Sequence, residues 1–482
     1  MRKLVLALAV AFLAVVPAAH AATKLTITGA GFGHGIGMSQ YGAYGYSLHL
    51  KDYNFILGHY YTGTTLGKLD SNPEVKVLLQ GGKHAVSFSG AVAAGDLKLD
   101  VAKTYTVRRG DGGLVLRDAT GAAVGTTPGP LRVEAAVGEP LRLNGTSVPG
   151  VRNGLYRGAL LISASGSAMT VVNALDLEDY VRGVVSAESP SAWPVEALKA
   201  QAVAARTYAL TTRAGGSAFD QYADTRSQVY RGVAAETPNT DAAVTATAGQ
   251  VVTFGGQPVT TYFFSTSGGE TEDVQNVFVG SDPKPWLKAV EDPFDNVSPR
   301  HRWGPYRFTA SQVHRKLRRY LRGSFKRIKV VQRGVSPRVV RAQVVGTRGV
   351  TDVTGPQLRS AFGLYDTWAF FTSVTSKASK SKKAKKTPKP AAPSGDPSGG
   401  VSPGVRAAAL RAPRIEGTIA PARAGRWVRV QRRVGSRWVA AADTKVLRGG
   451  RYSVAVPGAG VYRVVYGTAV GPDVRVTRRE RP

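Results

Sequence analysis

The residue best suited to acid–base chemistry is Glu188, which continues an apolar stripe on a helix predicted over residues 176–188. The stripe contains Leu177, Tyr180, Val181, Val184 and Val185 at helical spacing. A carboxyl group there loses solvation and faces the negative end of the helix dipole, and both effects favour its protonated form. A general acid near neutral pH needs that form. The alternative is a glutamate at a frayed helix end that turns to water or pairs with an arginine.

Residues that follow this glutamate supply an aromatic ring and polar groups. The loop 189–194 places Trp193 where it can desolvate the acid, stack on a sugar ring or serve as a core residue. The next predicted helix carries Gln201, Arg206 and Tyr208. Their amide, guanidinium and phenol groups suit carbohydrate hydroxyls and carboxylates. The alternative is a structural polar network, which we favour for Arg206.

Two polar loops are further candidates for substrate contacts. In one, a turn begun by Asp224 or Thr225 is predicted to display Gln228 and Tyr230. The other, residues 265–271, is rich in hydroxyls, and its glycines allow a ligand to approach the backbone closely. Its candidate residues are Ser265, Ser267, Gly268 and Gly269. A nucleophilic serine is disfavoured because no paired base or nucleophile-elbow pattern is present.

The glycine-rich segment 33–40 contains a histidine and begins a helix near Ser39. Because the flanking glycines leave His34 without steric cover, we predict that it hydrogen-bonds to the substrate or to the catalytic glutamate; a structural histidine is the alternative. Ser39 and Gln40 are the other predicted substrate contacts here. His59 can join His34 in a metal site, but no HExxH motif or comparable spacing supports one, so we predict no metal or cofactor.

The N-terminus has the pattern of an export signal. Residues 1–22 combine a basic start, a short apolar run and a small-residue end at Ala19-His20-Ala21. No later segment resembles a membrane span. The chain contains no cysteine, which excludes disulfides, thiol catalysis and cysteine metal sites. We therefore predict a secreted protein without a transmembrane segment.

The formal net charge is +32, and basic residues crowd the region after residue 298. An exported protein rarely meets nucleic acid, and no recognisable nucleic-acid-binding motif is present. The predicted partner for this charge is an anionic polymer of the cell envelope with phosphate or carboxylate groups. Nucleic acid is the alternative partner.

The 482 residues suffice for two or three domains, and a hydrophobic content of 43% supports packed cores. We predict an α+β core with a β-rich insert, a solvated basic linker and a small all-β, Ig-like sandwich domain. The predicted parts are a core over residues 23–375 (glycine-rich segment 23–66, β-rich part 70–150, catalytic part 158–375), a linker over 376–404 and a sandwich over 405–482.

Several long motifs together resemble the stage II sporulation protein D / LytB amidase-enhancer family over most of residues 24–375. The motifs are LEDYVRGVVSAESPSAWPVEALKAQAVAARTYAL, DTRSQVYRG, FFSTSGGETEDV, GPQLRSAFGL, and GFGHGIGMSQYGA with ILGHYYTGT. The resemblance implies binding and cleavage of peptidoglycan glycan strands, with lytic transglycosylase activity in characterised members and enhancement of a cell-wall amidase in others. It places the family's catalytic glutamate on Glu188.

A lytic transglycosylase can work with one carboxyl group. The acid protonates the glycosidic oxygen, the 6-hydroxyl of the muramic sugar attacks the oxocarbenium-like centre, and the same group removes the hydroxyl proton, with no second carboxylate as nucleophile. We therefore predict a wall-associated lytic transglycosylase with Glu188 as acid and base. The alternative is a non-catalytic glycan-binding protein that stimulates a cell-wall amidase.

The chain departs from the family's pattern in two ways. The GHGxGMSQ motif comes first here, whereas in the family it follows the segment that matches GPQLRSAFGL, so the chain resembles a circular permutation. Since permutation is tolerated when the original ends lie close together, we predict that residues 24–66 pack beside residues 350–375. Some relatives bind zinc through cysteine and histidine, and the lack of cysteine argues against that role here.

Overall fold

A computed structural model describes residues 23–375 and most of residues 414–476, with gaps at 421–424, 457–458, 467–468 and 472. The predicted export signal and linker lie outside the described residues. Within them, helices and strands are interspersed and form several sheets, which agrees with a mixed α and β class. No helix in this part of the chain is long and apolar enough to span a membrane.

Apolar stripes and capping residues set the helix bounds. The helix predicted over residues 176–188 is confirmed as Leu177–Glu188, with two acids in its first turn, where the helix dipole favours them. Ser39, Thr309 and Thr354 each accept a backbone N–H at a helix start. The α-helices of the described residues are α1 (Gln40–Leu48), α2 (Tyr53–Tyr60), α3 (Leu177–Glu188), α4 (Val195–Thr211), α5 (Pro238–Ala246), α6 (Val274–Val277), α7 (Ala310–Lys316) and α8 (Gly355–Phe362).

Two large sheets and helices α3 and α4 share the first hydrophobic core. Alternating apolar residues on the strands point into this core, as the period of a half-buried strand requires. One sheet runs in the order Gln221–Tyr222, Glu74–Lys83, Ala168–Asp176, Ala159–Ser165, Leu131–Ala135, Ala91–Ala94 and Leu97–Lys98. The other runs in the order Ala123–Thr127, Gly113–Arg117, Thr104–Gly110, Ala85–Ser89, Leu141–Thr146 and Arg152–Tyr156.

Helix α4 is buried on two sides, which explains its many small residues. Leu198 and Ala205 contact the first core, whereas Ala200 and Ala204 contact a second core built around α1 and α2. A hairpin that turns at Gly255-Gly256 lies beside this second core. Its strands are Gln250–Phe254 and Gln257–Pro258, the former also pairs with Thr65–Lys68, and Met38–Ser39 pairs with Phe263–Phe264.

The N-terminal segment returns to the end of the core, as the permuted motif order predicts. Strand Thr23–Ala30 pairs antiparallel with Ala369–Thr375, and Thr23 lies opposite Thr375. On its other edge the same strand pairs with Arg302–Phe308. The strands that neighbour the two exchanged motifs in the chain, Thr23–Ala30 and Ala369–Thr375, therefore meet in one sheet.

A third core lies under the basic part of the chain and contains Leu25, Val313, Ile328 and Leu358. It is covered by α7, α8 and a three-stranded sheet. The strands of this sheet are Phe325–Arg333, Val339–Gly346 and Gly349–Thr354.

The regular elements among the described C-terminal residues are strands and one short 3-10 helix. This composition is compatible with the predicted all-β domain. Two layers enclose a fourth core that includes Val430, Tyr452 and Tyr462. One layer continues the sheet of Ala369–Thr375 through Arg414–Ala420 and Arg451–Ala455. The other contains Arg437–Lys445, Trp427–Val434, Gly460–Tyr466, Ala469–Val470 and Val474–Val476. The Ig-like assignment and the domain bounds remain predictions.

Candidate active site

Glu188 ends α3 at the junction with α4, and its carboxyl group is held by two donors. The backbone N–H of Val229 donates to Oε1 at 2.7 Å. The Gln40 side chain donates from Nε2 to Oε2 at 3.4 Å and to the Glu188 carbonyl at 3.2 Å. The residue as a whole is half-buried.

Burial raises the pKa of Glu188 above its usual value. The Val229 N–H, the Gln40 amide and the Arg231 charge each lower it, because all three stabilise the carboxylate, but desolvation is the larger effect. The side chain is therefore more readily protonated near neutral pH than an exposed glutamate. This is the property that the apolar stripe predicts.

Gln40 and Gln201 form an amide chain beneath the carboxyl group. Gln40 also donates to Gln201 Oε1 at 3.4 Å, and both glutamines are buried. The sequence predicts both residues as substrate contacts. In the structure the Gln40 amide faces the Glu188 carboxyl group and the Gln201 oxygen, and a substrate contact stays a prediction for both glutamines.

An aromatic patch is formed by Tyr41 and Tyr44 on α1 and by Trp193 on the loop that follows Glu188. Trp193 stacks on Tyr44 with 4.9 Å between ring centroids and meets Tyr41 edge-on at 5.0 Å. All three residues are half-buried, and Trp193 also packs against the first core. The packing of Trp193 agrees with its predicted role as a core residue, and its roles in desolvating the acid and stacking on a sugar stay predictions. The two tyrosines were missed, although their spacing of three residues on α1 places them on one helix face.

The loop 265–271 is attached to the start of α1 through backbone contacts. The Ser39 hydroxyl accepts N–H groups from Gly42 and Ser267, and the Ser265 carbonyl accepts the N–H of Tyr41 at 3.0 Å. Ser39 and Ser267 are fully buried, whereas Ser265 is half-buried. Of these three predicted hydroxyl contacts, Ser265 is therefore the most accessible to solvent.

Gly268 and Gly269 lie in this loop at positive φ, which a residue with a Cβ rarely adopts. The Gly268 N–H donates to Asp295 at 2.6 Å, and the Gly269 carbonyl accepts the N–H of Asp292 at 3.0 Å. These glycines shape the loop and connect it to buried acids.

His34 does not contact Glu188. Its Nδ1 accepts the Ile36 N–H at 3.1 Å, so Nε2 carries the proton and donates to the Phe263 carbonyl at 3.0 Å. Burial lowers the pKa of His34 to about 4, which keeps the ring neutral. The prediction of a substrate or glutamate contact is corrected, because both ring nitrogens hold the glycine-rich loop. The alternative of a structural histidine agrees with this geometry.

Arg206 and Tyr230 lie in structural networks away from the carboxyl group. Arg206 is fully buried and forms a bidentate pair with Glu178 at 2.7 Å for each bond, as the favoured alternative predicts. Tyr230 is buried and donates to Asn173 at 2.7 Å. Neither is available to a substrate in this arrangement.

The loop after Asp224 turns as predicted but does not display Gln228. That side chain is fully buried and donates to Tyr180 and to the Ala205 carbonyl. The next residue, Val229, instead presents its N–H to Glu188, and no side-chain signal in the sequence marks a backbone donor. Tyr208 is half-buried, and the Glu188 charge contributes to raising its pKa, which is raised mainly by burial.

Among the described residues, no group of three or more His, Cys, Asp or Glu side chains could hold a metal ion.

A buried carboxyl group lies under the loop 265–271. Burial and the Asp295 charge raise the pKa of Asp292 to about 7, although the hydroxyls of Ser267, Tyr60 and Ser39 lower it. The folded protein thus binds this proton more tightly than the unfolded chain. The stabilising contribution of the protonated group is complete below about pH 4 and is lost as the pH rises to about 7.

We expect Asp292→Asn to raise the melting temperature at pH 8 and to leave it unchanged at pH 4. At about 1.36 kcal/mol per pKa unit, the gain in unfolding free energy is at most about 4 kcal/mol. Thermal unfolding across this pH range provides the measurement. Asp295→Ala is the control, and it should destabilise at both pH values because the buried Gly268 N–H then loses its acceptor. A lower melting temperature of Asp292→Asn at pH 8 would contradict the expectation.

Comparisons with known proteins place the segment around Glu188 in a family. The model of the stage II sporulation protein family (SpoIID) matches residues 165–254. Stage II sporulation protein D of Bacillus subtilis is 34% identical over 211 residues, which cover 40% of this chain and 59% of that protein. The amidase enhancer of Bacillus subtilis is 40% identical over 115 residues, which cover 24% of this chain and 15% of the enhancer.

An uncharacterized protein of Brachyspira hyodysenteriae is 40% identical over 156 residues, or 29% of this chain and 42% of that protein. The chain thus spans 42% to 59% of the length of this protein and the sporulation protein. The resemblance that the motifs indicate is confirmed, since residues 165–254 match the SpoIID family model and the chain is similar to both a stage II sporulation protein D and an amidase enhancer. Gln40 and its neighbours on α1 lie outside the matched family segment.

Proposed function

We propose that this protein is a secreted, cell-wall-associated lytic transglycosylase that cleaves the glycan strand of peptidoglycan, with Glu188 as general acid and base. The observation that carries the proposal is a half-buried glutamate with a raised pKa, held by two amide donors beside an aromatic patch. The relation to stage II sporulation protein D and to an amidase enhancer supports a role at the cell wall.

The two carboxyl oxygens of Glu188 have different tasks in this proposal. Oε1 accepts a short hydrogen bond from the backbone N–H of Val229, and Oε2 accepts a longer one from the Gln40 amide. The exchangeable proton therefore belongs on Oε2. Oε2 gives its proton to the glycosidic oxygen as the bond between the sugars breaks. The resulting carboxylate then accepts the proton of the attacking 6-hydroxyl, which closes the anhydro ring and regenerates the acid.

The aromatic patch fits the same substrate. Ring faces bind the apolar faces of sugars and exclude water from the acid, which strengthens the electrostatic interactions in the site. Tyr41 and Tyr44 come from the permuted N-terminal segment, whereas Trp193 and Glu188 come from the family segment. The site is therefore complete once the N-terminal segment has returned to the core.

The second candidate function is a non-catalytic glycan-binding protein that enhances a cell-wall amidase. The similarity to an amidase enhancer favours it. Both functions require glycan binding, so binding alone does not distinguish them. They differ in whether the protein itself releases glycan products.

Mass spectrometry of purified peptidoglycan incubated with the protein tests the proposal, with intact and peptide-stripped strands as separate substrates. We expect 1,6-anhydro-muramyl products, because the attacking hydroxyl belongs to the sugar itself. Reducing-end products would instead identify a hydrolase. Binding without cleavage of either substrate would favour the amidase enhancer.

We expect Gln40→Leu to move the alkaline limb of the pH–rate profile to higher pH. The Gln40 amide stabilises the charged carboxylate and lowers the pKa of Glu188, so its removal raises that pKa further. The maximal rate should fall by about tenfold as the acid loses its orientation. Cleavage rates between pH 4 and 9 provide the measurement.

Gln221→Leu is the matched control for this prediction. Gln221 is also fully buried, but it donates to the carbonyls of Ala209 and Thr212 rather than to the acid. Its loss should lower stability and leave the shape of the pH profile unchanged. An unshifted profile in Gln40→Leu would remove Gln40 from the positioning role.

A further inference from the structure

Positive charge is segregated in this chain. Residues 1–299 contain 24 Lys and Arg against 25 Asp and Glu, whereas residues 300–482 contain 40 against 7. The part that holds Glu188 therefore has a net charge of −1, and the other part has a net charge of +33. A charge needed only for solubility has no reason to be placed so unevenly.

A dense run of cations within the described residues is 315–329, which we call the basic segment. It contains Arg315, Lys316, Arg318, Arg319, Arg322, Lys326, Arg327 and Lys329, and no acid. The segment begins in α7, continues through a turn and ends in strand Phe325–Arg333. Its fold is fixed by Leu317, Phe325 and Ile328, which are buried in the third core.

The cations of the basic segment point outward and lack acidic partners. All except Lys316, which lies over the Phe308 ring, are exposed. Within the described residues, none of them forms an ion pair. Buried arginines elsewhere behave differently, since Arg206 and Arg338 each pair with a carboxylate. The basic segment therefore repels itself in the free protein, and a bound polyanion would relieve that repulsion.

We propose that the basic segment binds an extended anionic polymer of polyol units joined by phosphodiester groups. The positive charges of the segment are distributed along a helix end, a turn and a strand. This extended arrangement suits a long ligand better than a single small anion. Arg327 and Lys329 are separated by one residue on a strand, so their side chains leave the same face roughly 6–7 Å apart. Five of the eight cations are arginines, whose planar guanidinium groups bind phosphate oxygens in pairs.

This binding does not depend on Glu188. The basic segment lies on the third core, whereas the glutamate lies on the first. The polymer would hold the protein at a polyanionic surface, and cleavage would be a separate event. A variant can therefore lose polymer binding and keep glycan cleavage, or lose cleavage and keep binding.

The test is binding of the full chain to synthetic poly(glycerol phosphate) at several salt concentrations. The test variant carries Arg318→Gln, Arg319→Gln, Arg322→Gln and Lys329→Gln. We expect its affinity at 0.15 M salt to fall by at least about tenfold, and the slope of log affinity against log salt to decrease by about two to three. Substitution of exposed side chains should leave the melting temperature unchanged.

The control variant removes four exposed cations from the neutral part of the chain. It carries Lys68→Gln, Lys98→Gln, Arg108→Gln and Arg152→Gln, and so has the same net charge as the test variant. Its affinity should change by less than about threefold. Equal losses in both variants would overturn the proposal, because binding would then follow net charge alone.

Two competing polymers decide the chemistry of the partner. Poly-L-glutamate of equal charge tests whether phosphate is preferred over carboxylate, and single-stranded DNA tests for a nucleic-acid partner. Weaker binding of both than of poly(glycerol phosphate) supports the proposal. Tighter binding of either competitor than of poly(glycerol phosphate) would overturn the assignment to a polyol-phosphate polymer.

Discussion

Replacing Glu188 with glutamine is expected to reduce glycan cleavage by about 10²–10⁴-fold, which is the typical contribution of a general acid. Glutamine keeps the size of the side chain and can still accept the Val229 N–H, but it has no proton to give to the glycosidic oxygen. Release of anhydro-muramyl products from peptide-stripped strands is the measurement. Glycan binding by the variant should remain within about threefold of the wild type, because the aromatic patch is intact.

The matched control is Glu196→Gln. Glu196 also accepts a backbone N–H, that of Tyr53 at 2.9 Å, and it lies in the first turn of α4. Its substitution should leave the rate within about twofold of the wild type. If Glu188→Gln cleaves as fast as Glu196→Gln, Glu188 is not the acid. If neither the wild type nor any variant cleaves, the enhancer function is favoured.

The sequence was sufficient to predict elements whose signals are local. The apolar stripe predicted α3 and the unusual position of Glu188, because burial along a helix follows a period of 3.6 residues. A helix start was predicted near Ser39 from its own position, and the Ser39 hydroxyl caps α1. The pairing of Thr23–Ala30 with Ala369–Thr375 is a long-range contact, and it was predicted only because the motif order could be compared with that of a family.

The roles of polar residues were harder to predict, because a side chain's type does not reveal its direction. His34 was expected to face a ligand, but its ring turns inward, where two backbone groups bind it. The amide of Val229 has no side-chain signature at all. Tyr41 and Tyr44 lie beside Trp193 only after distant segments have packed together, so their spacing showed a shared face without showing what that face contacts.

Replacing Arg338 with methionine is expected to lower the unfolding free energy by about 3–5 kcal/mol, the usual cost of breaking a buried ion pair. Arg338 and Asp366 are both almost fully buried and joined by two bonds of 3.0 and 2.9 Å. Methionine fills part of the space, but it leaves the Asp366 carboxylate without its partner in a desolvated place. Chemical unfolding followed by tryptophan fluorescence is suitable, because Arg338 lies 5.4 Å from the Trp368 ring.

Arg429→Met is the control, since the exposed Arg429–Asp443 pair should contribute less than about 1 kcal/mol. A double variant, Arg338→Met with Asp366→Asn, should recover part of the lost stability because no unpaired charge remains. Equal stability of Arg338→Met and Arg429→Met would show that the buried pair is not needed for folding.

The same arginine also connects stability to the candidate site. Its guanidinium donates to the carbonyls of Ser267 and Glu270 at 2.7 Å each, and it therefore fixes both ends of the serine- and glycine-rich loop. The double variant regains charge balance without regaining these two donors. We therefore expect the double variant to be more stable than Arg338→Met. Both variants should cleave glycan more slowly than the wild type and at the same rate as each other. Hydrogen exchange at Gly268 and Gly269 should be faster in both variants than in the wild type. Recovery of both stability and rate in the double variant would mean that the loop does not depend on Arg338 for its position.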